Sequence, residues 1–446
     1  MPAPPPRHRG HRPASPSPRA TAAASALLAA LPSRLGVAVV RRDDALVVGA
    51  APTTVVTGDG AEGLDALDRL DRTERGFWVG ACAFELGHSL EPVPPRSASL
   101  EPAAAPDVVM ARFDALAEIT PDGRIAVQGT GEGLPLLAAA AEAVDPSGIA
   151  PIAELGPAAG WRSSLTRDEY EDRVGVVLEL LRAGECYQVN LTRRLERDGA
   201  LDPVALHAAL GACHPAPYAG MLRLPAGAAP GLDDAFAVVS ASPEGFLRRR
   251  GDRVESRPIK GTADCRPGDA ARLRASAKDQ AENVMIVDLT RNDLGRVCVP
   301  GTITVPELCA VEAHPGLHHL VSTVRGRLRA DVGVGALVAA TFPPASVTGA
   351  PKPRVLRAIE ELEPVRRGVY CGAFGWTDTR TDDADLAVAI RTFTVHGSGD
   401  DGVTRLGVGG GVVADSDPRG EWDETCLKAR RLLAAADADE PALVRA

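Results

Sequence analysis

The order of strand-like and helix-like runs in the second half of the chain constrains the fold most. Runs with strand character at Ala237–Leu247, Arg253–Arg257, Val369–Thr377, Leu386–Val395 and Thr404–Val413 are separated only in places by helical patterns, at Ala271–Leu289, Pro351–Leu362 and Glu421–Ala436. A parallel sheet needs a long crossover after every strand, usually a helix, whereas antiparallel strands can be joined by tight turns. Gly251-Asp252 is such a turn, predicting a hairpin between the first two runs. The irregular rhythm therefore predicts an α+β fold with large antiparallel sheets rather than a wound βαβ array.

The chain has 446 residues, enough for about three domains or one large fold. Residues 1–20, rich in Pro and Arg, bury too little apolar surface to offset ordering and are predicted to be a disordered arm. Residues 21–157 read as an N-terminal α+β region of low motif content, with short runs such as Val37–Val40 and Gly76–Phe84 and a helix over Leu136–Val144. Residues 158–446 carry the motifs. Here Thr166 and Glu169 form a capping box, Tyr170, Val174, Val177 and Leu178 follow at helical spacing, and Gly184 ends the turn. A strand should follow, with Tyr187, Val189 and Leu191 on one face and Gln188 and Asn190 on the other.

A formal charge of −10 argues against a general nucleic-acid binder. The eight cysteines show no C-x-x-C pair, which indicates neither a zinc ribbon nor a disulfide framework and fits a cytoplasmic protein. No apolar run reaches the length of a membrane span, so no membrane association is expected.

Several side chains are candidates for chemistry. Asp279 with Glu282, and Glu421 with Glu424, stand at i, i+3 and share a helix face. Each pair alone is ordinarily a solvated surface. Two facing pairs of oxygen donors would suit Mg²⁺, which keeps several waters and takes one or two carboxylates plus substrate oxygens. Lys260, at a strand end before Gly261-Thr262, is on composition a solvent-facing lysine; desolvation would make it a nucleophile. Glu244 is a strand-edge carboxylate that, if buried, becomes a general acid. Arg391 follows the apolar run Leu386–Ile390 and should be paired, a carboxylate ligand being one natural partner. The glycine run Gly407–Gly411 lacks the lysine and serine of a phosphate loop and reads better as a strand lying against a ligand.

Eight segments, taken together, carry a resemblance to a known family. They are Gly184–Leu191, Ser242-Pro-Glu244, Arg257–Thr262, Ala281–Leu294, His319–Thr323, Phe342–Lys352, Gly409–Gly411 and Asp423-Glu-Thr425, with weaker echoes at Gly76–Gly80 and Phe84–Leu86. In this order they resemble the chorismate-utilising enzymes over roughly Leu165 to Ala435. The resemblance implies a two-layer α/β sandwich of two large antiparallel sheets flanked by helices, with the site between them. It also implies Mg²⁺ bound by Glu282 and Glu424, supported through water by Asp279 and Glu421. Arg391 and Tyr370 would take the enolpyruvyl carboxylate, with Lys428, Gly409, Gly410, Gly411, Thr348 and Gly349 completing the cradle. His319 would lie beside the ring, near Gly261 and Thr262, and Glu244 would protonate the departing C4 hydroxyl.

Two positions sort the family by product. Where this chain has Gln188, the isochorismate- and salicylate-forming relatives resemble one another in having a lysine that activates water; an amide cannot act as that base, which implies ammonia as nucleophile. Lys260 stands where anthranilate-forming relatives typically have alanine and where the branch making 4-amino-4-deoxychorismate has a lysine that acts as a covalent nucleophile. The resemblance thus implies amination of chorismate at C4, with ammonia from a separate glutamine amidotransferase subunit. The alternatives are an anthranilate- or aminodeoxyisochorismate-forming enzyme and, from a different class, a catalytically silent chorismate-binding regulatory subunit.

Overall fold

The computed structural model describes residues 14–72, 75–91, 93, 104–144, 160–314 and 317–436. Within them two large antiparallel sheets form the body, one of 11 strands and one of 10. The first places Gln188–Asp198, Val403–Val412, Thr392–His396, Phe236–Ser242, Tyr218–Leu224, Val37–Arg42 and Ala45–Ala50 side by side. The second runs through Ile259–Asp264, Leu317–Arg327, Arg253–Arg257, Gly245–Arg250, Asp383–Val388, Ala373–Asp378, Phe77–Cys82 and Val108–Phe113. The expected hairpin is present, with Arg250 opposite Arg253 across Gly251-Asp252.

The sheets meet through Val40, Leu222 and Val238 from the first and Phe77, Phe374 and Trp376 from the second. Full burial of a side chain of this kind contributes about 1.5–3 kcal/mol, so this layer holds the sandwich shut. Helices Pro18–Ala30, Pro203–Cys213 and Pro418–Ala435 cover the first sheet, with Leu27, Leu206 and Leu432 in one buried cluster with Val39, Val239 and Leu406. The capping box of Thr166 and Glu169 opens helix Arg167–Arg182, and Tyr170 and Val177 are buried from it.

Four sequence expectations need correction. The run Ala237–Leu247 is two strands in different sheets: Phe236–Ser242 lies in the first and Gly245–Arg250 in the second. Pro243 has no N–H for the ladder, and the chain changes sheet at Pro243-Glu244. The run Leu386–Val395 does the same: Asp383–Val388 is in the second sheet and Thr392–His396 in the first. Here the turn is made at Ala389–Arg391, where Arg391 has φ +52°. Periodicity reports burial, and both halves of each run are buried, so the break is invisible to it. The strand expected from Val369 begins at Ala373, and the helix expected over 271–289 is two helices, Asp269–Ala275 and Ala277–Gly295, parted at Ser276, which caps the second through Asp279 N.

The two crossovers lie beside one another. Ser242 Oγ donates to Val388 O at 2.6 Å, Val388 N donates to Glu244 O at 3.0 Å, and Ala241 N donates to Arg391 O at 3.0 Å. Of the arm expected over 1–20, residues 1–13 lie outside the described residues; Pro18–Ala20 belong to the first helix, capped by Ser17, and Ala20 is buried.

Candidate active site

The site is assembled on strand Val403–Val412 of the first sheet, and its glycines explain how. A β-carbon at Gly410 would lie 2.9 Å from Glu421 Oε2 and 3.6 Å from Glu424 Oε1, so the missing side chain lets the carboxylates of helix Pro418–Ala435 reach the strand. One residue on, a β-carbon at Gly411 would face the opposite side, 2.9 Å from Gln188 Nε2 and 3.4 Å from Lys260 Nζ. At Gly409 it would lie 2.5 Å from Leu191 O, and the carbonyl of Gly409 accepts a hydrogen bond from Lys428 Nζ at 2.8 Å.

Gln188 is fully buried, and neither its Oε1 nor its Nε2 has a hydrogen-bond partner among the described residues. Leaving both ends of a buried amide unmade costs about 1–3 kcal/mol for each group, an expense that a bound polar molecule would remove. Beside it, Lys260 Nζ donates to Ser346 O at 3.2 Å. Burial draws the Lys260 ammonium below its ordinary value, against the opposing pull of the Glu282 and Glu244 carboxylates and with help from Lys428. A lysine so placed carries more free amine near neutrality than one in water.

Glu244, at the first crossover, is 5% exposed, and its Oε1 accepts a hydrogen bond from Ile259 N at 3.3 Å. Burial pushes its carboxyl above the ordinary range; the Ser346 hydroxyl, the Lys260 ammonium and the Ile259 amide oppose this. A buried acid and a partly buried amine thus lie within electrostatic reach of each other, each displaced toward its neutral form.

The two carboxylate pairs lie within electrostatic reach of one another. Burial raises Glu282, against Lys260 and Lys278, and it raises Glu421, against a 2.6 Å hydrogen bond from Ser416 Oγ. For Glu424 burial is outweighed by Lys428, 2.6 Å away, and by Lys260 and Lys278, so its carboxyl lies below the ordinary range. Glu282 feels the charges of Asp279 and Glu424, and Asp279 touches the loop at Gly261, where a β-carbon would be 3.0 Å from its carboxylate. Gly261, at φ +79°, is suited to that close turn. Among the described residues no three His, Cys, Asp or Glu side chains gather closely enough to cage an ion by themselves. The donor set is nonetheless oxygen-only and comes from two facing helices, a chemistry that fits Mg²⁺ completing its shell with water and substrate oxygens.

The remaining expected residues take different places. Thr262 and His319 are cross-strand partners in the second sheet, with Thr262 Oγ1 and His319 Nδ1 2.9 Å apart. Thr348 is buried, and its hydroxyl donates to Pro344 O at 2.9 Å, so its side chain serves the turn. Gly349, at φ +129°, pairs with Val189; a β-carbon there would lie 2.1 Å from Gln188 O, so only glycine fits. Tyr370 packs on Gly407 of the same glycine-bearing strand. Arg391 lies within electrostatic reach of Arg431 and His214. Burial and the charge of Arg431 draw it below its ordinary value; Arg431 lies three residues beyond Lys428 on one helix. Tyr187 is 71% exposed and does not share the burial of Val189 and Leu191.

Sequence reasoning missed the residues that hold these groups in place. Arg367 and Glu363 form a fully buried pair 2.6 Å apart, and Arg367 also donates to Asn190 O and Val347 O. Glu85, within the weak echo Phe84–Leu86, accepts from the backbone N–H groups of Arg367 and Gly368. Lys352 and Asp293 form a second buried pair at 2.7 Å, joining the ends of two of the quoted segments. Nothing in composition or period marks such pairs, since each partner alone reads as surface.

Comparison with known proteins agrees with this geometry. Residues 41–434 match the family described as chorismate binding enzyme. The chain is 40% identical over 279 residues to aminodeoxychorismate synthase component 1 of Escherichia coli (strain K12), covering 61% of this chain and 58% of that protein. It is also 40% identical over 295 residues to anthranilate synthase component 1 of Streptomyces coelicolor, covering 64% of this chain and 55% of that protein. The matches thus span little more than half the length of these relatives. The crystal structure of anthranilate synthase component I from Streptococcus pneumoniae superposes with a TM-score of 0.73 at 25% identity, covering 87% of this chain and 92% of that one. The chain belongs to the chorismate binding enzyme family.

Proposed function

We propose that the chain aminates chorismate at C4 to give 4-amino-4-deoxychorismate, using ammonia supplied by a separate glutamine amidotransferase subunit. The observation that carries this reading is the buried Gln188 amide, unpartnered among the described residues, beside Lys260, whose ammonium burial draws down. A lysine at the position of Gln188 could serve as a base for water; an amide offers hydrogen bonds to ammonia and no proton abstraction.

The chemistry follows from the residues. The neutral amine of Lys260 adds at C2 of the ring, both double bonds of the ring diene shift along it, and the C4–O bond breaks as Glu244 gives its proton to the hydroxyl, which leaves as water. Ammonia, held by Gln188, then forms the C4–N bond as both double bonds return and the C2–N bond breaks, which releases the neutral Lys260 amine, and the new C4 ammonium gives a proton back to the Glu244 carboxylate. Splitting one hard substitution into two is the usual gain from a covalent nucleophile. Mg²⁺, when bound by Glu282 and Glu424 with Asp279 and Glu421 behind them, would offset the charge of the ring carboxylate. Arg391, for which no protein carboxylate partner is found among the described residues, would take the second carboxylate, with Lys428 near it.

Chorismate incubated with the chain, ammonium and Mg²⁺ is expected to yield a product with nitrogen at C4, read by chromatography and mass spectrometry. Nitrogen at C2 would instead establish the anthranilate-forming reading, which the equal identity to the Streptomyces coelicolor relative keeps open. Binding of chorismate without turnover would leave the silent subunit. Glutamine should not replace ammonium until an amidotransferase subunit is added.

Gly411→Ala tests the cradle. Its methyl group would meet Gln188 Nε2 at 2.9 Å and displace the amide, and about a tenfold rise in KM for ammonium is expected, equivalent to ~1.4 kcal/mol. An unchanged KM would remove Gln188 from the ammonia site.

A further inference from the structure

Ser346 lies in the one-turn helix Ala345–Val347 and is 8% exposed. Its backbone carbonyl accepts the hydrogen bond from Lys260 Nζ at 3.2 Å, and its hydroxyl lies near enough to the Glu244 carboxyl to oppose the upward push of burial on that acid. It is therefore bonded to the amine of the proposed reaction and lines a small cavity with the acid, together with Thr290 and Asp293.

The turn that carries Ser346 is fastened on both sides. Val347 O accepts from Arg367 Nη1 at 3.0 Å, and Arg367 is itself locked to Glu363. Pro344 O accepts from Thr348 Oγ1 at 2.9 Å, and Thr348 O accepts from Asn190 N at 2.9 Å, close to Gln188. Such a turn has little freedom to move, so groups bonded to it inherit its position. The acid and the amine arrive from elsewhere: Glu244 from a crossover between sheets, Lys260 from strand Ile259–Asp264. Without a common reference, each would follow its own element.

We propose that Ser346 is a positioning residue that sets the Glu244 carboxyl and the Lys260 amine in fixed register, its hydroxyl aiming the acid and its carbonyl aiming the nucleophile. The proposal rests on the C4-amination reading. A positioned acid is worth about 10²–10⁴-fold in rate, so losing its aim while keeping the acid should cost a fraction of that. The backbone carbonyl survives any substitution, which makes the hydroxyl the testable half.

The test compares the full-length wild type with Ser346→Ala and Ser346→Thr, using chorismate, ammonium and Mg²⁺. The wild type comes first: if it forms no C4-aminated product, the functional reading fails independently of Ser346. With that product in hand, Ser346→Ala is expected to lower kcat about tenfold with KM for chorismate changed less than about twofold. Ser346→Thr, which keeps a hydroxyl, is expected to recover kcat to within about threefold of wild type, and Ser346→Ala should melt within about 2 °C of it. An unchanged kcat in Ser346→Ala would overturn the proposal. So would equal impairment of Ser346→Thr, or a loss that falls on KM, because either outcome assigns the residue to packing or to binding.

Discussion

Replacing Lys260 with alanine is expected to lower C4 amination of chorismate by about 10³-fold or more, a loss of ~4 kcal/mol of transition-state stabilisation. The expectation follows from placement: Nζ is close to Gln188 and Gly411, bonded to Ser346 O, and drawn toward the free amine by burial. Alanine leaves Gln188, Glu244 and all four carboxylates in place, so binding should survive while the covalent step is lost. KM for chorismate should change far less than kcat, and any residual nitrogen incorporation should be sought at C2. Steady-state kinetics with product analysis decides it, and a Lys260→Ala chain that aminates C4 at the wild-type rate would remove the lysine from the covalent role.

Glu244→Gln is expected to have the second largest effect and to move activity and stability in opposite directions. Without the acidic proton, kcat should fall by about 10²–10³-fold, within the range contributed by a general acid. Stability changes for a different reason. Burial raises the folded-state pKa of Glu244 above its unfolded value, so across that window the native state binds more protons than the unfolded chain. Stability therefore declines as pH rises from the unfolded pKa through the folded one, and the deficit persists above it. Glutamine is neutral throughout and carries no such deficit. The variant should melt higher than wild type near pH 7.5, by about 1–2 °C for a chain of this size, and the difference should close near pH 4. Calorimetry at the two pH values checks this, and a variant that melts lower at pH 7.5 would show that the carboxylate is stabilising.

The sequence already indicated antiparallel sheets, because strand-like runs without helices between them leave no other connection. It did not reveal that 237–247 and 386–395 each change sheet, since alternation records whether a residue is covered and not by which layer. The same limit applies at the site. The i, i+3 spacing put Asp279 with Glu282 and Glu421 with Glu424, but only the folded chain brings the helix Ala277–Gly295 within electrostatic reach of Pro418–Ala435. Lys260 could be read as a surface lysine until its burial was known. Ser346 was hidden because its contacts use one backbone atom and one hydroxyl, neither of which leaves a periodic trace. Arg391 was expected within a strand, and its left-handed backbone at the crossover depends on tertiary packing that no local pattern encodes.

The sheet order carries one more consequence. Strand Tyr218–Leu224 is flanked on one side by Val37–Arg42, and strand Ala373–Asp378 by Phe77–Cys82, so the early part of the chain supplies the neighbours of two later strands. A fragment starting after residue 157 would leave both later strands with a bare row of N–H and C=O groups on long, apolar, twisted ribbons. Edges of that kind recruit other chains. The early segment thus covers both ribbons, and a shortened chain would have to cap them in its place.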